Sequence, residues 1–119
     1  METMRCLVVF SLCVSFASSA NVLVFGGNGF LGAETVERIL SEGDHLVTMV
    51  NRGNWYWDSE TRILPKVHKH IKCDRTKGDM ETECPELVEF VKDSPPFDIV
   101  YDFSAFGPGE MERALELLK

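Results

Sequence analysis

A short apolar run that ends in a cluster of glycines restricts the fold of this chain more than any other feature. Residues 22–25 are Val-Leu-Val-Phe, and residues 26–29 are Gly-Gly-Asn-Gly. Apolar residues then recur at steps of three and four over residues 30–40, and Gly43 stands just beyond them. The run is typical of a strand buried on both faces, and the spacing predicts an amphipathic helix with a glycine stop.

The rest of the chain continues the same alternation. Apolar runs predict strands at residues 45–50, 67–73 and 97–103, and helical spacing predicts helices at 84–92 and 108–119. The connection after the second strand has no helical period and is predicted as a loop or a short turn of helix. This order predicts an α/β fold, a Rossmann-like parallel sheet of about four strands with flanking helices. We expect the fourth strand to be an edge or switch-point strand with exposed apolar surface.

The first twenty residues have the layout of a secretory leader. An apolar segment, residues 6–17, follows the basic Arg5, and small residues occupy positions 18–20. This layout predicts a signal peptide over residues 1–20, cleaved after Ala20. An uncleaved anchor and a wrongly chosen start codon are the alternatives.

The predicted localisation depends on whether the leader is present and cleaved. With a cleaved leader we expect the secretory pathway or the cell exterior, and without one the cytoplasm. The twelve apolar residues are too few to cross a hydrocarbon core of ~30 Å. No membrane span is therefore expected after cleavage.

The charge balance bears on possible partners. The chain carries 12 Lys and Arg against 19 Asp and Glu, a formal net charge of −7. This acidic balance gives no electrostatic indication of binding to nucleic acid or anionic membranes, although a local basic site stays compatible with it. Nucleic acid is therefore not an expected partner.

The cysteines and histidines give weaker signals. Cys73 and Cys84 lie beyond the predicted leader and could pair in an oxidising compartment, but two unpaired thiols are the favoured interpretation. No Cys or His spacing indicates a zinc site, and no metal is expected. His68 and His70 share one face of a predicted strand, and we interpret them as partly exposed strand residues rather than metal ligands or a catalytic pair.

The glycine cluster also has a chemical interpretation. Gly27, Gly29 and Gly32 satisfy the pattern G-x-G-x-x-G between a predicted strand and a predicted helix. Glycines allow a sharp turn, leave backbone amides open to a pyrophosphate and let the helix pack close to the strand. The helix N-terminus then supplies unpaired N–H groups to the anion. Nucleotide binding is favoured over a merely structural glycine turn.

The end of the second predicted strand bears on the choice of nucleotide. In a dinucleotide fold an acid at this point binds the ribose 2′-hydroxyl, whereas an arginine accepts a 2′-phosphate. Here Asn51 and Arg52 stand where the acid is expected. An arginine can pair with a phosphate that an acid would repel, so NADP is favoured over NAD. The alternative is a solvated loop arginine.

Residues 24–32, Val-Phe-Gly-Gly-Asn-Gly-Phe-Leu-Gly, resemble the opening of the extended and atypical short-chain dehydrogenase/reductases, the NAD(P)-dependent epimerase/dehydratase superfamily. Segments that begin at Val50, Cys73 and Phe97 are similar to a branch that includes the chloroplast stem-loop-binding proteins and related nucleotide-sugar epimerases. The resemblance covers about residues 21–119 and only the N-terminal part of such proteins. It implies an NAD(P)-binding Rossmann domain truncated after the fourth βα unit.

The resemblance implies a set of cofactor-binding residues. The glycine turn would lie along the pyrophosphate, Arg52 beside the ribose, Asp74 and Arg75 near the adenine, and the end of the fourth strand beside the nicotinamide ribose. The full set is Gly26, Gly27, Asn28, Gly29, Phe30, Leu31, Gly32, Arg52, Asp74, Arg75, Ser104, Ala105 and Phe106. Asp74 and Asp102 also have a structural interpretation, as caps of strand ends.

The catalytic pattern of these enzymes is missing. They use a Tyr-x-x-x-Lys pair, whereas Glu60 follows Tyr56 by four positions and Ala105 follows Tyr101. No catalytic residue is therefore assigned. The resemblance implies an NAD(P)(H)-binding fragment of an oxidoreductase or isomerase that acts on nucleotide sugars when full length. A non-catalytic nucleotide-binding or RNA-associated module, and a gene-model fragment without independent function, are the alternatives.

Overall fold

The computed structural model describes residues 19–105 and 107–119. The predicted signal peptide lies outside the described residues, apart from Ser19 and Ala20, and stays a prediction. The elements in chain order are β1 (Asn21–Phe25), α1 (Phe30–Glu42), β2 (Leu46–Asn51), α2 (Ser59–Ile63), a 3₁₀ turn (Leu64–Lys66), β3 (Lys69–Lys72), α3 (Met80–Glu83), α4 (Pro85–Asp93), β4 (Ile99–Asp102) and α5 (Pro108–Leu117).

The strands form one parallel sheet in the order β3-β2-β1-β4. Asn21 of β1 pairs with Leu46 of β2, and Val22 pairs with Ile99 of β4. Because β1 has a partner on each side and helices over both faces, it tolerates no polar side chain in its centre. The predicted α/β fold with a Rossmann-like parallel sheet is confirmed.

Helices cover both faces of the sheet. Leu23 and Phe25 of β1 pack in a core with residues of α3, α4 and α5. Val22 and Val24, which point to the other face, pack with residues of α1 and α2. The alternation follows from the two-residue period of a strand. Within the described residues, no helix is long and apolar enough to cross a membrane.

The observed strands differ from the predicted ones at their ends. The predicted ranges 67–73 and 97–103 shrink to the four residues each of β3 and β4. The N–H of Cys73 still donates to a carbonyl of β2 (2.8 Å), and that of Phe103 to a carbonyl of β1 (2.9 Å). These apolar flanks continue the hydrogen bonding but lie outside the paired ladder. The range 45–50 shifts by one residue, because Asn51 pairs with β3.

The connections hold two short helices. The predicted loop or short turn between β2 and β3 contains α2 and the 3₁₀ turn. Helix α3 was not predicted. Asp79 caps it by accepting a hydrogen bond from the Thr82 N–H (2.8 Å). That bond holds the pKa of Asp79 below its ordinary value. Pro85 occupies the first turn of α4, as predicted.

A disulfide joins Cys73, which follows β3, to Cys84, which precedes α4. The interpretation of these residues as unpaired thiols was wrong. The return of the chain through α3 brings their Cα atoms to 5.2 Å, within the usual range for a disulfide. Sequence spacing does not encode this return.

Strand β4 lies at the edge of the sheet, as predicted. Among the described strands it pairs with β1 alone. Ile99 and Val100 are 43% and 42% exposed, so the expected apolar surface is present at this edge.

Reduction of the Cys73–Cys84 bridge should lower the free energy of unfolding by about 3 kcal/mol, because the unfolded chain gains the freedom of the opened loop. Urea unfolding with and without dithiothreitol measures the change. A Cys84→Ala chain is the control and should not respond to the reductant. Equal stability of the wild-type chain in both conditions would contradict the pairing.

Candidate functional site

The turn after β1 requires glycine at its first position. Gly26 has a φ of +74°, in the left-handed region that favours glycine. Its N–H donates to the Val50 carbonyl oxygen (3.0 Å), so the turn stays attached to β2. A Cβ built on Gly26 would lie 2.8 Å from the Cβ of Ser104. The turn therefore touches the segment after β4 without room for a side chain.

Gly32, in the first turn of α1, lies directly against this turn. A Cβ there would be 2.4 Å from the Gly26 carbonyl oxygen and 2.9 Å from the Cα of Gly27. Neither atom can move without moving the backbone. Glycine at position 32 thus allows α1 to begin immediately beside the end of β1.

Gly29, the N-cap of α1, faces open space. A Cβ built on it meets no described atom within 4 Å. Gly29 has no side chain to cap the helix, and the described first turn contains no acidic residue. The N–H groups at this end therefore keep their capacity to bind an anion.

The side chain of Asn28 anchors the turn. Its Nδ2 donates to the Asn54 carbonyl oxygen, and the Ser59 hydroxyl donates to the Asn28 carbonyl oxygen (3.3 Å). Asn28 is only 8% exposed. These bonds fix the glycine turn to Asn54, in the loop after β2, and to Ser59, the first residue of α2.

A cleft of about 290 Å³ lies at the carboxyl ends of the strands. It brings together seven of the predicted cofactor-binding residues: Gly26, Asn28, Gly29, Arg52, Asp74, Arg75 and Ser104. Gly27 and Gly32 are packed beneath the turn instead. Phe30, Leu31 and Ala105 are not among the described residues that line the cleft, and Phe106 lies outside the described residues.

The Asp74 carboxylate accepts hydrogen bonds within its own turn. The Thr76 hydroxyl and the Thr76 N–H both donate to its Oδ1. The hydroxyl bond is the main reason that the pKa of Asp74 lies below its ordinary value, and the charges of Lys77 and Arg52 lower the pKa further. Asp74 therefore stays a carboxylate near Arg52. Its hydrogen bonds to Thr76 agree with the interpretation of Asp74 as a cap of the strand end.

Arg75 is buried and paired with the protein. Its Nη2 donates to Asp102 and to the Ser104 hydroxyl (3.0 Å), and its guanidinium lies 4.2 Å from the centre of the Phe25 ring. The Arg113 guanidinium donates to the Arg75 carbonyl oxygen (3.1 Å). Arg75 thus joins the ends of β3 and β4 across β2 and β1. An adenine contact by this residue stays a prediction.

Seven further residues line the cleft and were not in the predicted set. Four of them, Phe25, Val50, Cys73 and Phe103, lie at the ends of strands and could have been found from the rule that ligands bind at carboxyl ends. The sequence marks Asn51 only as the residue that stands where an acid is expected in a dinucleotide fold. Tyr56 and Thr76 come from connections without a periodic pattern, and no signal in the sequence marks them.

One of the two histidines is a strand residue, as predicted; the other, His68, precedes β3, so its assignment to a strand was wrong. His68 is exposed and His70, in β3, is half-buried. The His70 Nε2 lies 2.9 Å from the Asn51 Oδ1. Within the part of the chain that the structure describes, no cluster of His, Cys, Asp or Glu is placed to hold a metal ion.

The residues of the cleft fit a ligand that carries phosphate groups. The space at Gly29 is one that a Cβ would fill, and it adjoins the helix N-terminus. Arg52 is exposed and lines the same cleft. The Asn51 side-chain nitrogen is buried without a partner among the described residues. A cation and an open helix end thus face one space.

A comparison with protein families settles what kind of chain this is. The model of the NAD dependent epimerase/dehydratase family matches residues 22–119. The chain belongs to the NAD-dependent epimerase/dehydratase family. The match confirms the resemblance to this superfamily and does not distinguish its branches. Family membership implies a nicotinamide dinucleotide as cofactor. No curated protein matches the chain.

Loss of the Arg75 charge should destabilise this epimerase/dehydratase domain strongly. Arg75→Met leaves Asp102 buried without its ionic partner, and we expect the free energy of unfolding to fall by about 3–5 kcal/mol. Urea unfolding measures the loss. Arg38→Met is the matched control, because Arg38 pairs with Glu42 on the exposed face of α1, and it should be nearly neutral. Equal effects of the two variants would contradict the bridging role of Arg75.

Proposed function

We propose that the chain binds NADP(H) in the cleft at the carboxyl ends of its strands, in preference to NAD(H). The observation that carries the proposal is the meeting of the open N-terminus of α1 with exposed Arg52 in one cleft. The open helix end suits the pyrophosphate, because its N–H groups and dipole attract anions. Arg52 then lies at the end of β2, where the adenosine ribose binds in dinucleotide folds.

The preference for NADP(H) rests on charge. Position 51 holds an amide instead of the acid that binds a 2′-hydroxyl. The nearby acid, Asp74, is held by Thr76. Arg52 is a fully charged group that can bond to two oxygens of a 2′-phosphate. This end of the cleft is therefore suited to the more negative cofactor.

The proposal for this chain is cofactor binding. A bound nicotinamide supplies hydride transfer, and the residues described here hold and orient its nucleotide. Nucleotide-sugar chemistry, which the resemblance implies for a longer protein, needs a positioned acid or base. The Tyr-x-x-x-Lys pattern that would provide it does not occur in this sequence.

Gly29→Val should abolish NADPH binding and preserve the fold. The Val side chain fills the open space beside the helix N-terminus, but it meets no described atom within 4 Å. Titration of NADPH fluorescence measures binding, and circular dichroism measures folding. Gly78→Val is the control, because a Cβ there makes only ordinary contacts with Glu83 outside the cleft. NADPH affinity unchanged by Gly29→Val would refute binding at this turn.

Arg52→Ala should lower the affinity for NADPH by about 10- to 100-fold, the range expected from lost hydrogen bonds to a charged group. The affinity for NADH should change little, because NADH has no 2′-phosphate. Competition titrations with both cofactors give the ratio. Arg38→Ala removes one positive charge far from the cleft and controls for net charge. An unchanged ratio of NADPH to NADH affinity would show that Arg52 does not bind the 2′-phosphate.

A further inference from the structure

Three exposed aromatic residues stand together beside the start of α1. Phe30 is the first residue of α1, and Tyr56 and Trp57 belong to the connection between β2 and α2. They are 68%, 45% and 77% exposed, respectively. The Trp57 ring centre lies 6.1 Å from that of Phe30, with 73° between the planes, and 6.0 Å from that of Tyr56, with 52°. The rings of this aromatic cluster thus meet at steep angles and are not stacked on one another.

A pocket of about 390 Å³ opens at the aromatic cluster. All three aromatic residues line it, and Glu34, Asp58 and Arg62 are among the polar residues that do so. Of the three aromatic residues, only Tyr56 also lines the cofactor cleft. The volume is in the range of sites that hold small molecules. The pocket is therefore a second candidate site, next to the cofactor cleft and distinct from it.

Carboxylates outnumber the cation at this pocket. The Arg62 guanidinium lies 3.3 Å from a carboxylate oxygen of Glu34, 3.0 Å from one of Glu37 and 3.3 Å from one of Asp58. Three negative charges thus share one positive charge, and the surplus lies beside the aromatic cluster. A negative surplus attracts a cation and repels an anion such as a phosphate. The pocket is therefore suited to a positively charged ligand.

The turn that carries Trp57 is held in place before any ligand binds. Trp57 has a φ of +53°, in the left-handed region that bulky residues rarely adopt. The Ser59 N–H donates to the Tyr56 carbonyl oxygen (3.2 Å), and the Ser59 hydroxyl lies 2.7 Å from the same oxygen. Ser59 is buried and fixes the turn from inside. Rings on a fixed turn lose little conformational freedom when a ligand binds, which favours affinity.

We propose that the aromatic cluster binds a small organic cation that carries a quaternary ammonium group. The face of an aromatic ring attracts a cation, and Trp does so most strongly. A quaternary ammonium group has no N–H to donate, so aromatic faces suit it better than hydrogen-bond acceptors do. The carboxylates around Arg62 add attraction at longer range. The site does not require NADP(H), so the failure of either proposal leaves the other intact.

The first test compares choline with neohexanol, a neutral alcohol in which a carbon atom replaces the charged nitrogen of choline. The indole N–H signals of the ¹⁵N-labelled full chain follow binding at Trp57 and at Trp55, which is partly buried against the core. Choline should shift the Trp57 signal saturably, with little change at Trp55. Its affinity should exceed that of neohexanol about 10-fold, because only choline gains the attraction of the rings and carboxylates for a charge. The absence of a saturable choline shift, or equal affinities of the two ligands, would overturn the proposal.

The second test removes the most exposed ring. Trp57→Leu keeps an apolar side chain without an aromatic face, and it should weaken choline binding about 5-fold or more. The backbone amide shifts of Asp58 and Ser59 measure the affinity in the variants, and circular dichroism verifies that they fold. Trp57→Phe keeps a ring and should lose less affinity than Trp57→Leu. Wild-type choline affinity in the folded Trp57→Leu chain would overturn binding at the aromatic cluster.

The third test changes the charge at the pocket. Glu34→Gln removes one of the three carboxylates around Arg62 and should weaken choline binding about 2- to 5-fold, the range expected for an exposed charge pair. Neohexanol binding should not change. Glu112→Gln, at an exposed residue of α5 outside the pocket, is the matched control because it makes the same change in net charge. Equal choline affinities of the two variants would contradict local attraction by the carboxylates.

Discussion

The contact between Gly32 and the carbonyl oxygen of Gly26 is the constraint on which the site depends. A side chain at position 32 would overlap backbone atoms of the turn. Its absence lets α1 start at the end of β1, with the N–H groups of the helix directed toward the carboxyl edge of the sheet. The same turn reaches β2 through the Gly26 N–H and the loop after β2 through Asn28. This close approach therefore positions both the glycine turn and the helix N-terminus of the candidate site.

The polar residues at the strand ends divide into two groups. Arg75 and Asp102 form a buried pair across the ends of β2 and β1, and Asp74 closes its own turn with Thr76. These groups hold the ends of β3 and β4 in place. Arg52, by contrast, is exposed and lines the cleft. Arg75 and Asp74, which the resemblance placed near the adenine, thus make their hydrogen bonds within the protein.

The sequence predicted the parts of the structure that local patterns encode. Buried runs, helical spacing and the glycine turn indicated the order of the elements and the parallel sheet. Pairings between distant residues were not predictable: Arg75 meets Asp102 27 positions later, and Cys73 meets Cys84 only because α3 turns the chain back. Tyr56 entered the cleft from a segment without periodicity. Strand ends depended on the register with neighbouring strands, which a single sequence does not show.

Titration of the ¹⁵N-labelled chain with NADP⁺, followed by amide chemical shifts, tests the cofactor site most directly. Saturable shifts should be largest at Gly29 and in the first turn of α1, at Arg52, and around Asp74. The amides of α4, on the opposite side of the sheet from α1, should change little. The absence of shifts at saturating NADP⁺, or shifts confined to α4, would contradict cofactor binding at the glycine turn.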